Sequence, residues 1–362
     1  MEPSSLFLVS PPGLETQLLA EAREVGLRDA ATVPGGVEAA GGWRDAWRAN
    51  LHSRIASRVL VRLASFRAMH PAQLDKRARR LDWAAWLPPD VPVRAEAASR
   101  RSRVYHAGAI RTRVEGALAA AGIPSGDGGL RILVRLDDDL CTVSVDTSGE
   151  PLHRRGFKTA VGKAPLRDTV AAGLLRACGW TPGMPVVDPI CGSGTFVLEA
   201  AERAAGLPPG RSRTFAFERL PSFDRAAWEA MRAFEPRAVT TPFAGSDRDA
   251  GAVANAAANA ERAGVGELCR FRHAAISDAA PPDGPPGLVI SNPPYGGRVG
   301  KGPLFGLYAA FGRAMRERFA GWRVGLVTSE DGLARACDLP WDSPGPILDN
   351  GGIKVRLWQA RA

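Results

Sequence analysis

From about residue 160 onward the chain repeats one pattern: a short continuous apolar run, a turn rich in Gly, Pro or Asp, and then a helical stretch. The runs fall at 184–187, 242–245, 270–273, 288–290, 324–328 and 353–358, and the helical stretches at 165–178, 196–205, 250–263 and 304–319. Strands that are apolar along their whole length are buried on both faces. Alternating with helices, they predict a parallel, doubly wound α/β sheet. Ligands on such a sheet sit beyond the carboxyl ends of its strands, so the residues that end each strand carry the search for function.

The earlier part of the chain is built differently. Short apolar strands at 6–9, 36–39 and 59–63 flank helical stretches at 13–25 and 43–55, and runs at 130–136 and 141–145 read as an antiparallel pair around Asp137-Asp138-Asp139. That is an α+β pattern, and 362 residues suit two domains or more. Residues 151–164 read as a basic linker with His153, Arg154, Arg155 and Lys158, and 207–236 as a Pro-rich insertion.

A net charge of +9 and a pI near 9.9 suit a polyanionic partner. With 45% apolar and 23% charged residues, global disorder is excluded. The five cysteines form no CxxC pair and no His/Cys spacing that would hold zinc, so no metal site is expected. The N-terminal MEPSSLFLVSPPG lacks the basic and apolar regions of a signal peptide, and no run reaches the ~18–20 apolar residues of a membrane span. A cytoplasmic protein without a membrane partner is expected.

Two constellations carry chemistry. In PVVDPICGSGTF, Asp188 ends the first strand of the repeat, followed by Pro189, Cys191, Gly192, Ser193, Gly194 and Thr195, which turn into a helix. Glycines let backbone approach a ligand, and a helix start offers unpaired N–H groups to a carboxylate. Position 197 is Val, so the third Gly of a dinucleotide fingerprint is missing. Asp188 would repel a pyrophosphate but accept an ammonium, and a ligand with both amine and carboxylate, such as S-adenosylmethionine, suits both ends. Asp247, followed by Arg248, ends the next strand, where a carboxylate can take ribose hydroxyls. Asp247 or Asp249 can also cap the helix that follows. Asn255 and Asn259 read as packing or solvent groups.

The second constellation is SNPPYGG, 291–297. Pro293 and Pro294 donate no backbone hydrogen bonds and keep the chain extended. The Asn292 amide oxygen and the Pro293 carbonyl then offer two acceptors for an exocyclic NH2, and Tyr295 a face for a base to stack on.

With DPICGSGTF, Asp247 and NPPY in this order, the sequence resembles class I S-adenosylmethionine-dependent methyltransferases acting on exocyclic amines. It is most similar to the THUMP-domain RNA guanine-N2 methyltransferases of the RlmL type, through segments such as GLETQLLAEA, NLHSRIASRVLVRL, SRVYHAGAIRTRVEGAL and DTSGEPLHRRGFKTAVGKAPLRDTVAAGLL. The resemblance implies a ferredoxin-like module at 1–50, a THUMP RNA-binding domain at 51–150, a linker at 151–164 and a Rossmann-like methyltransferase domain at 165–362. It implies cofactor contacts from Asp188, Gly192, Gly194 and Asp247, and from the helix start at Ala164, Pro165 and Leu166. Ala275 stands where an adenine-binding Asp is expected, which leaves that role to Asp278 or to a backbone group. It implies phosphate contacts from Arg100, Arg101, Arg103, Arg111 and Arg113, joined by Arg154, Arg155 and Lys158 in the linker. The expected substrate is guanine N2 in 23S ribosomal RNA. Transfer RNA, an adenine or cytosine amine in DNA, and a non-catalytic RNA-binding assembly factor are the rivals.

Overall fold

A computed structural model describes residues 3, 5–158, 166–295, 301–350 and 352–362. The chain divides into two compact units. The first comprises Met1–Val9, Leu19–Leu152 and Arg213–Ala233; the second comprises Ser10–Leu18, His153–Ser212 and Phe234–Ala362.

Up to residue 146 the elements are β1 (Ser5–Val9), α1 (Glu15–Glu24), β2 (Arg28–Val33), β3 (Gly36–Ala40), α2 (Trp43–His52), β4 (Arg58–Arg67), α3 (Pro71–Ala78), β5 (Val93–Arg100), α4 (Ala107–Ala120), β6 (Leu130–Asp137) and β7 (Leu140–Asp146). The seven strands form one sheet in the order β2-β3-β1-β4-β7-β6-β5. Every pairing in it is antiparallel except β5 with β6. Strand β6, LRILVRLD, alternates buried and half-buried positions, as a strand with one covered face must. Helix α2 buries Trp43, Ala46, Trp47, Asn50 and Leu51, the i, i+3, i+4 stripe of an amphipathic helix.

The rest of the chain gives α5 (Asp168–Ala177), β8 (Val186–Asp188), α6 (Thr195–Ala204), α7 (Arg225–Arg232), β9 (Phe243–Asp247), α8 (Ala250–Ala263), β10 (Cys269–His273), β11 (Leu288–Ser291), α9 (Lys301–Arg318), β12 (Arg323–Thr328), α10 (Asp331–Ala336), β13 (Ile347–Asn350) and β14 (Ile353–Arg361). The second sheet runs β10-β9-β8-β11-β12-β14-β13. Its first five strands are parallel, as the sequence predicts, while β14 joins β12 antiparallel and β13 hairpins onto β14. Strands β8 and β11 are buried at every position, so both faces of the centre are covered.

The insertion departs from the sequence reading, which placed it in the methyltransferase domain. Residues 213–233 fold with the first unit because their aromatic side chains find partners there. Phe217 stacks 5.7 Å from Trp47 and 4.9 Å, edge on, from Trp228.

Candidate active site

Strand order reverses between β8 and β11: β9 and β10 extend the sheet from one side of that pair, and β12 and the terminal hairpin from the other. Such a switch point opens a crevice beyond the carboxyl ends of the strands. Asp188, Asp247 and the Ser291-Asn292 step all lie at that edge.

After Asp188 the chain makes a tight turn, in which the Cys191 N–H donates to the Ser246 carbonyl at 2.9 Å and the Gly194 N–H to the Cys191 carbonyl at 2.8 Å. Gly192 has φ +52° and open space where a Cβ would stand. Gly194 has φ +84°, and a Cβ there would lie 2.7 Å from Leu198 Cδ1. The second glycine is therefore needed for packing, whereas the first leaves backbone accessible to a ligand. Asn259, fully buried on α8, donates its amide to the Ser193 carbonyl at 3.2 Å. Sequence reasoning gave Asn259 no part in the site, yet it tethers the turn; its place one helix away left no local signal.

Asp188 is buried and accepts from the Ile190 N–H at 3.1 Å and from the Ser291 hydroxyl at 2.6 Å. Burial pushes its pKa up to about 7, against the pull of those two hydrogen bonds, and the nearby Asp247 charge adds to the rise. Asp247 accepts from the Gly192 N–H at 3.0 Å and from the Asp249 N–H at 3.0 Å. Asp249 caps α8, accepting from Gly251 at 2.8 Å and Ala252 at 3.2 Å, so capping does not account for Asp247. Pro189, Cys191, Ser193 and Thr195 are buried around the turn, while Arg248 is exposed, its carbonyl 3.0 Å from His273 Nε2. Asp278 and Ala275 are both exposed beyond β10. Leu166 is buried ahead of α5; Ala164 and Pro165 lie outside the described residues.

Beyond β11, the Asn292 side-chain oxygen is buried without a hydrogen-bond partner among the described residues. An acceptor stranded in this way costs about 1–3 kcal/mol, so it marks either a ligand contact or a defect. The segment around it is braced from several elements. The Tyr308 hydroxyl on α9 lies 3.3 Å from both the Pro294 carbonyl and Thr328 Oγ1, and Asn350 donates its amide to the Tyr295 hydroxyl at 3.1 Å. Burial raises the Tyr295 phenol above its usual range, offset in part by the Asn350 and Asn292 amides. Pro293 is buried and Pro294 exposed; Gly296 and Gly297 lie outside the described residues.

The expected phosphate contacts divide. Arg100, Arg101, Arg103, Arg111 and Arg154 are exposed, and Arg113 is half-buried with its guanidinium on the Pro71 and Ala109 carbonyls. Arg155 departs from the expectation: it is fully buried against Glu199 and Glu202 on α6, so no phosphate can reach it. Lys158 departs too, its ammonium held by Asp168 at 3.0 Å and Thr195 Oγ1 at 2.6 Å. In both cases the carboxylates on neighbouring helices claim the charge. Among the described residues no group of His, Cys, Asp and Glu could hold a metal ion, and no helix is long and apolar enough to cross a membrane.

Comparison with known proteins gives this geometry its context. The model of the RMKL-like methyltransferase domain matches residues 155–343, more than half the chain. The chain belongs to the RMKL-like methyltransferase family. A second model, the RlmL ferredoxin-like domain, matches residues 5–60. The fold is thus a Rossmann-like methyltransferase domain with a ferredoxin-like domain at its N-terminal side, as the sequence resemblance implied. Among relatives of this RMKL-like chain, a Synechocystis protein named "Putative RNA methyltransferase slr0064" is 29% identical over 97% of this chain and 95% of its own. The structure of SMU.472, complexed with SAH, is 27% identical with a TM-score of 0.88, covering 100% of this chain and 99% of that one. A Listeria monocytogenes structure named "predicted N6-adenine-specific DNA methylase" is also 27% identical with a TM-score of 0.88, covering 99% and 96%.

Proposed function

We propose that this methyltransferase places a methyl group on the exocyclic N2 of a guanine in RNA, with 23S ribosomal RNA as the substrate. The methyl donor is S-adenosylmethionine, which when bound supplies an electrophilic methyl on a sulfonium. The residues present fit it. Asp188 has the burial and charge to take an ammonium, the open space at Gly192 lets a ligand approach, the start of α6 suits a carboxylate, and Asp247 suits ribose hydroxyls. Adenine recognition falls to Asp278 or to backbone, given Ala275.

The observation that carries the reading is the stranded Asn292 oxygen beside the switch point. It accepts one N–H of the base amine and the Pro293 carbonyl accepts the other, so the nitrogen lone pair is left to face the methyl. Tyr295 offers its ring to the base. The nitrogen loses its proton after the methyl has moved, so rate comes from in-line positioning and no basic side chain is needed. RNA as the partner rests on the exposed arginines of residues 100–113, on the Synechocystis relative and on a THUMP reading of the first unit.

Nucleoside mass spectrometry of ribosomal and transfer RNA and of DNA from a deletion strain tests this. Loss of N2-methylguanosine from 23S RNA is expected. Loss from transfer RNA relocates the substrate, loss of N6-methyladenine from DNA overturns the guanine assignment, and no change leaves the assembly-factor reading. Asn292→Ala is expected to abolish transfer while calorimetry shows cofactor affinity within about twofold of wild type, since a group that touches only the acceptor adds nothing to donor binding.

A further inference from the structure

We propose that Asn350, in the terminal hairpin, is a positioning residue for the acceptor base, acting through the Tyr295 hydroxyl. The inference rests on the reading of Tyr295 as the ring that receives the base. Strand β13 runs parallel to β12 because β14 reverses between them, and the Asn350–Ile353 pair lies beyond the Thr328–Arg356 pair that ends β12. The hairpin tip therefore projects past the same carboxyl edge of the sheet that carries Asp188 and Asn292. Asp349 stiffens that tip, accepting from the Gly352 N–H at 2.9 Å and pairing with Lys354 at 3.2 Å. Asn350 itself is only 7% exposed, and its amide donates to the Tyr295 hydroxyl at 3.1 Å. Tyr295 lies 55 residues earlier in the chain.

A phenol ring turns about two side-chain torsions, and packing on its flank leaves its tilt adjustable. Tyr295 packs against the core cluster that includes Tyr308, Phe311 and Leu326. Hydrogen bonds at the far tip of the ring, from Asn350 and from the Asn292 amide, limit that remaining freedom. Losing the Asn350 bond leaves the ring in place but held from one side only, so it rocks more widely, which degrades the approach of the base amine and leaves the donor site alone.

The chain has three tyrosines, Tyr105, Tyr295 and Tyr308. Full-length protein carrying 3-fluorotyrosine therefore gives three fluorine resonances, assigned with Tyr295→Phe. In Asn350→Ala the Tyr295 resonance is expected to move while that of exposed Tyr105 stays. Single-turnover methyl transfer is expected to slow on the order of tenfold in Asn350→Ala and again in Tyr295→Phe, with cofactor affinity unchanged, because small displacements in a near-attack geometry are this costly. The double variant is expected to be no slower than Tyr295→Phe alone, since that change already breaks the contact that Asn350→Ala removes. Asn350→Leu, which keeps the volume without the donor, serves if the alanine variant unfolds. An unmoved Tyr295 resonance, or losses that multiply, sinks the proposal. A wild type inactive on RNA sinks the parent reading instead, and the fluorine spectrum still reports on the contact.

Discussion

Ser291 precedes the residues that first draw notice, yet its hydroxyl joins the two halves of the site. It donates to Asp188 at 2.6 Å across the neighbouring strands β8 and β11. Because burial holds the Asp188 pKa at about 7, well above the ordinary carboxylate value, the folded chain binds more protons than the unfolded chain between about pH 4 and 7. The stability that the neutral carboxyl contributes is present below that window and lost as pH rises through about 7. An ammonium ligand needs the ionised form, so cofactor affinity is expected to rise with pH through the same region. Ser291→Ala removes a donor that favours ionisation. Calorimetric titration between pH 6 and 9 is expected to show the midpoint moved upward. Affinity at pH 7 is expected to fall about tenfold, in keeping with the ~1.5–3 kcal/mol of a hydrogen bond to a charged group. An unmoved midpoint would mean that Ser291 only fills space. Asp188 was legible in the sequence because it ends a strand before glycines; Ser291 was not, because its partner lies on another strand.

Among elements, legibility followed how much of an element's cause lies within its own residues. Helix α8 matched its expected bounds because both its stops are local, the Asp249 cap and Gly264 at φ +73°. The central strands were legible from continuous apolar runs. Strand β5, VRAEAASR, has Ala and charge where β-branched residues would signal a strand, and its state depends on eight parallel pairs with β6. The terminal hairpin was half seen, since ILDN is too short and polar to stand out and its register comes from β14. Helix α7 is the sharpest case, because composition marks 207–236 only as a Pro-rich insertion, whereas Trp228 is buried edge-on against Phe217, which itself stacks on the distant Trp47. Trp228→Ala should therefore destabilise the first unit by about 3–5 kcal/mol, the usual cost of emptying a buried aromatic site. Thermal unfolding is expected to start at lower temperature, with cofactor affinity at 25 °C unaltered. A full-stability variant would show that 213–233 contributes nothing to that unit's core.

At the scale of the whole molecule, chemistry and charge separate between units. The switch-point residues belong to the second, while Arg100, Arg101, Arg103 and Arg111 lie exposed in the first. Three of those cations are partly engaged: Arg101 pairs with Asp137 at 2.9 Å, Arg103 with Asp139 at 3.6 Å and Arg111 with Glu115 at 3.8 Å. Arg101 holds the Asp137 carboxyl below its usual range. Exposed pairs of this kind contribute little, since water and salt screen them, so a phosphate can displace the carboxylate at little cost. Replacing both arginines by Gln is expected to weaken RNA binding and to lower the slope of log affinity against log salt by about 1.4, ~0.7 for each lost contact to single-stranded phosphate. Asp137→Asn should act in the opposite sense, releasing Arg101 and tightening binding most at low salt, where unscreened charge matters most. Filter binding across a salt series measures both, and cofactor affinity is the control that should stay constant in every variant. If the Gln pair leaves the slope intact while Asp137→Asn also changes nothing, the polyanion binds elsewhere on the +9 surface, and the assignment of residues 100–113 falls.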